Sequence, residues 1–101
     1  MTITSTLSAD GQELTLHIRG RFDFNSHQAF RDAYQRVNGL ARRYVVDLGG
    51  ATYLDSSALG MLLLLRDHAG GDNAQIRLIN CNADVRKVLS ISNFQQLFVI
   101  D

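Results

Sequence analysis

The chain has 101 residues, 46% of them hydrophobic, with ten basic and ten acidic side chains and no net formal charge. This length and apolar content fit one folded domain over 1–101 and exclude a disordered polypeptide. The charge balance excludes the basic excess that grips nucleic-acid phosphates or an anionic membrane surface, and the pair Arg42-Arg43 is too small a patch to change that.

From Ile3 to Leu7 and from Glu13 to Arg19 apolar and polar residues alternate, which predicts two half-buried strands. Asp10-Gly11 between them reads as a hairpin turn, and Gly20 as the end of the second strand. From Ser26 to about Val37 the apolar positions Ala29, Phe30, Ala33, Tyr34 and Val37 have helical spacing, with Asn25 or Ser26 as cap and Asn38-Gly39 as stop. Tyr44 to Leu48 reads as a buried central strand broken by Gly49-Gly50. Asp55-Ser56-Ser57 opens a second helix that runs to His68 before Gly70-Gly71. Gln75 to Ile79 is a further strand, Ala83 to Ser90 a third helix, and Phe98 to Ile100 an edge strand. An opening hairpin followed by alternating helices and strands predicts an α/β domain with one small mixed sheet and helices packed mainly on one face.

Cys81 is the single cysteine, so no internal disulfide can form, and Met1-Thr2-Ile3-Thr4 lacks the pattern of an export signal. The cytoplasm is therefore the expected compartment. The longest apolar run, Ala58 to Leu65, falls far short of the roughly 20 residues that span a bilayer.

The chemistry concentrates in Leu54-Asp55-Ser56-Ser57-Ala58-Leu59-Gly60. The first turn of a helix offers unpaired N–H groups and a positive dipole end, so a phosphate on Ser56 is compatible with the fold and alters what docks there. Capping alone is the competing reading of Asp55, Ser56 and Ser57. A serine hydrolase needs G-x-S-x-G, whereas Leu54 and Ala58 flank this serine, and His17, His27 and His68 are scattered. One cysteine and three dispersed histidines give no metal pattern, and no glycine-rich phosphate loop is present, so neither metal nor cofactor is expected.

Leu54 to Gly60 closely resembles the D-S-[ST]-G-L-G signature of STAS-domain anti-sigma factor antagonists. Gly20-Arg21-Phe22-Asp23-Phe24 resembles that family's G-x-[LF]-D segment, and Val85 to Leu89 with Ser92-Asn93-Phe94 resembles its third helix and following turn. Ala58 and Asn93 stand where the family usually has glycine. The resemblance implies a non-enzymatic, phosphorylation-switched binding module with Ser56 as phosphosite and Asp55, Ser57 and Asp23 as its neighbours. The implied partners are an anti-sigma factor acting as serine kinase and a PP2C-type phosphatase, with no nucleic acid, membrane or small-molecule substrate. The unphosphorylated form would sequester the anti-sigma factor and free a sigma factor. The alternative is a STAS adaptor for another signalling protein, such as a second-messenger enzyme or a non-kinase anti-sigma factor. The second helix is apolar on every side, and its periodicity leaves open which face is exposed. The resemblance favours Leu59, Leu62 and Leu63 as core, with Met61, Leu64 and Leu65 joining Asp23, Asn25, Ser56 and Ser57 on the partner side.

Overall fold

The computed structural model describes residues 2–36 and 41–101. Five strands, β1 (Thr2–Leu7), β2 (Glu13–Phe22), β3 (Arg43–Leu54), β4 (Ile76–Ile79) and β5 (Val99–Ile100), form one sheet in sequence order. The β1–β2 pair is antiparallel and every later pair is parallel. Each parallel connection carries a helix: α1 (His27–Gln35), α2 (Ser56–His68) and α3 (Ala83–Ile91). The expected α/β mixed sheet is thus the one that forms.

Local chemistry explains the hairpin. Asp10 Oδ1 accepts hydrogen bonds from Ser8 Oγ at 2.6 Å and from the Gln12 N–H at 3.0 Å, while Gly11 takes the left-handed conformation (φ +73°) that other residues resist. Rows across the central strands then build the core. Leu14, Tyr44 and Ile76 stand side by side, and so do Leu16, Val46 and Leu78. All six are buried, and Phe30, Met61, Leu62, Leu65, Val85 and Leu89 from the three helices belong to the same cluster. The alternate strand residues, including Thr15, His17, Arg19, Asp47 and Arg77, lie on the other face.

Two expected strand ends are wrong. β2 runs through Gly20 to Phe22, and β3 runs through Gly49-Gly50 to Leu54. Neither Gly49 nor Gly50 is a turn residue. A Cβ on Gly50 would lie 2.7 Å from Arg19 Cγ and 3.1 Å from the Ile18 carbonyl oxygen, and one on Gly49 would lie 3.1 Å from Asp47 Oδ1. Gly50 thus permits close approach to β2, which shifts register between His17 and Arg19, and Gly49 leaves room for the Asp47 carboxylate and Asn80. The first helix starts one residue late, after a 3₁₀ turn (Phe24–Ser26). The expected Val37 and its stop at Asn38-Gly39 lie outside the described residues.

Candidate functional site

The register Phe22 opposite Leu54 brings the ends of β2 and β3 level, so Asp23 and Asp55 leave adjacent strands side by side. Each carboxylate then caps the turn that follows it. Asp23 Oδ1 accepts from the Asn25 N–H at 3.0 Å, and the Ser26 hydroxyl, wholly buried, accepts from the Asp23 N–H at 3.3 Å and donates to the Arg21 carbonyl at 3.3 Å. Asp55, with extended backbone, caps α2 by accepting from the Ala58 N–H at 3.0 Å. The 3₁₀ turn packs against α2, which completes one continuous surface from Asp23 through Asn25 to Ser56.

Because the cap belongs to Asp55, Ser56 is the first helical residue and its side chain is exposed. Ser57 is half-buried beside it. The Ser56 hydroxyl therefore stands at the positive end of the helix without being used to hold that end together. Ala58 is fully buried, so the side chain that replaces the usual glycine points into the core.

The outward face of α2 differs from expectation. Ala58, Met61, Leu62 and Leu65, spaced at helical intervals, are buried, whereas Leu63 and Leu64 are 40% and 49% exposed. Met61 and Leu65 are therefore core residues and not partner contacts, and Leu63 is a surface residue. Leu62 is buried as expected, Leu59 packs against the core from a half-buried position, and Leu64 faces outward. In a helix apolar all round, hydrophobicity does not set the rotation. The way the chain enters from β3 does, and it turns Ser56, Gly60, Leu63, Leu64 and Asp67 to solvent together.

Three neighbours of this surface escape a reading by type alone. Phe24 is 71% exposed, with its ring 6.0 Å from that of His27. The Arg21 guanidinium lies 4.0 Å over the Tyr53 ring, and its Nε is 3.4 Å from Asp23 Oδ2. Arg21 and Tyr53 are cross-strand partners, a pairing visible only once the register of β2 and β3 is known.

The histidines do not gather. His68 is half-buried against Tyr34 and Tyr44, with ring centroids at 4.9 and 6.5 Å, so it is more than a helix-surface residue. His17 joins a polar network on the helix-free face, where Asp47 accepts from the Gly49 N–H (2.9 Å) and Asn80 Nδ2 (3.1 Å) and lies 3.3 Å from His17 Nδ1. Burial works against ionisation of Asp47, but these contacts outweigh it and hold the carboxyl below its ordinary value. Among the described residues no group of three His, Cys, Asp or Glu side chains is placed to hold a metal, and no helix is long and apolar enough to cross a membrane.

Both the sequence and the fold have known counterparts. Over 100 residues, 99% of each chain, the protein is 73% identical to a STAS-domain containing protein of Pseudomonas aeruginosa (strain UCBPP-PA14). In fold it is similar to the anti-sigma factor antagonist SpoIIAA in its unphosphorylated form, with a TM-score of 0.82 at 16% identity, covering 99% of this chain and 88% of that one. It is also similar to the phosphorylated form of SpoIIAA, the Bacillus cell fate determinant, with a TM-score of 0.74 at 15% identity, covering 99% and 91%. The family described as "Mlab, STAS domain" matches residues 5–100, and the chain belongs to the STAS-domain family.

Proposed function

We propose that this domain is an anti-sigma factor antagonist switched by phosphorylation of Ser56. In its unphosphorylated form it sequesters an anti-sigma factor and so frees a sigma factor; the phosphorylated form lets that partner go. The observation that carries this reading is the division of labour at the start of α2. Asp55 makes the cap, and the adjacent hydroxyl is left exposed on a surface that also presents Asp23, Asn25, Phe24 and Leu64. The likeness to SpoIIAA in unphosphorylated and phosphorylated forms supports it.

The physics of the switch is local. A phosphate adds a charge of about −1.5 to −2 at a helix N-terminus, where N–H groups and the dipole favour it. The fold therefore tolerates the group, and its effect falls on the docked partner. Asp23, with Arg21 beside it, and Asp55 flank the serine, so a partner packed closely over this turn must accommodate an added bulky dianion and offset its desolvation. The domain acts as protein substrate and binder in the cytoplasm. A serine kinase, the anti-sigma factor itself, adds the phosphate, and a PP2C-type phosphatase removes it.

The test is to recover the protein from its own cells and map phosphorylation by intact mass and peptide sequencing. Phosphate on Ser56 and not on Ser57 is the expected result. A protein that is never modified at Ser56 under any growth condition contradicts the switch and leaves a constitutive adaptor.

A further inference from the structure

We infer that the outer edge of β1 is a self-association surface, on which a second copy of this chain pairs antiparallel through its own β1. In an antiparallel ladder every second residue of an edge strand directs its N–H and C=O away from its only neighbour. β1 pairs with β2 over all six positions from Thr2 to Leu7 without a register shift, and no described strand pairs with its other edge. Edge strands are normally protected by charge, proline, a bulge or brevity. Thr-Ile-Thr-Ser-Thr-Leu has no charge and no proline, is continuous, and consists mostly of β-branched residues suited to pairing.

A groove runs beside this edge. A cavity of about 430 Å³ lies between β1 and α1, bordered by Ile3, Thr4 and Ser5 on the strand and by Ala29, Asp32 and Arg36 on the helix. Ile3 and Ser5 stand opposite Ile18 and Leu16 on the helix-bearing face, so a strand added to β1 would set alternate side chains into this groove. Antiparallel pairing of β1 with itself places a two-fold axis across the sheet edge. Both α1 helices then lie on the same side of a continuous sheet and face each other. Asp32 and Arg36, the C-cap of that helix, lie one turn apart and both border the groove, so a two-fold axis midway between them sets the acid of one copy against the base of the other. This charge complementarity, with zero net charge to oppose association, selects a second copy as the occupant over an unrelated strand. Ser56 follows β3, two strands in from this edge, so the dimer keeps both copies of the proposed switch accessible.

The full chain is examined by sedimentation equilibrium across a wide concentration range, with circular dichroism as a control for folding. The wild type is expected to form a dimer. Ser5→Lys puts a charge into the groove at the strand edge and should give a folded monomer. Asp32→Arg sets like charges across the two-fold and should raise the dissociation constant at least tenfold, and Asp32→Arg/Arg36→Asp should restore it. A wild type that stays monomeric at the highest concentration overturns the inference. So does a dimer that neither Ser5→Lys nor the charge exchange alters.

Discussion

At the residue scale, Asp55 holds the site and Ser56 is presented by it. Removing the cap by Asp55→Ala leaves the Ala58 N–H without its 3.0 Å acceptor and should cost about 1 kcal/mol. Asp55→Asn keeps an acceptor and should cost much less. Denaturant titration of the two variants checks this; equal stability of both with wild type would show that Asp55 is not what fixes the helix start. The Asp47 network makes a second prediction. An unfolded Asp takes up its proton near 3.8, whereas the folded Asp47 resists until lower pH. Below that ordinary value the unfolded state binds more protons, so Asp47 contributes stability that is full above it and is lost as pH falls through the depressed folded value. Asp10 acts in the same direction, its carboxyl lowered first by the Ser8 hydroxyl and then by the Gln12 N–H. Asp47→Asn should flatten part of the acid limb of a stability–pH profile, and an unchanged limb would remove Asp47 from the account.

At the element scale, α2 decides which residues can meet a partner. Leu65 is wholly buried and Leu64 half exposed, although they are adjacent and identical in type. Leu65→Ala should destabilise the domain by about 2–5 kcal/mol, the range for a truncated core leucine. Leu64→Ala should stay within about 0.5 kcal/mol of wild type, as surface changes do. Thermal or chemical unfolding separates the two, and a reversed order would mean that α2 is rotated. The same helix shows where reading residues in one dimension runs out. Its start at Ser56 and end at His68 are legible, because Asp-Ser-Ser and Gly70-Gly71 are local signals. Its rotation is not, because an all-round apolar helix carries no periodic mark and only packing on the sheet distinguishes Met61 from Leu63. The alternation in β1 and β2 and the short apolar run in β3 are legible for the same local reason. The length of β3 is not, because Gly49-Gly50 has the composition of a turn and is used instead for close packing, Gly50 against Arg19 and Gly49 against Asp47 and Asn80. Arg21 over Tyr53 and His17 beside Asp47 depend on strand register, which pairs residues 32 and 30 positions apart in the chain and leaves no mark on either one.

At the scale of the whole molecule, the sheet separates scaffold from site. Helices cover one face, the loops after β2 and β3 meet at one end, and Ser56 stands there at the exposed start of a helix whose inner residues are packed in the core. On the proposed reading, a phosphate at this position acts by changing the surface offered to a partner, with no refolding required. Capture from the protein's own cells on immobilised Ser56→Ala and Ser56→Asp baits, with bound proteins identified and their affinities compared, tests this central claim most directly. The account predicts an anti-sigma factor held by the alanine bait and lost, by at least tenfold in affinity, from the aspartate bait. The same partner bound equally by both baits would contradict it and would reduce Asp55-Ser56 to a helix start.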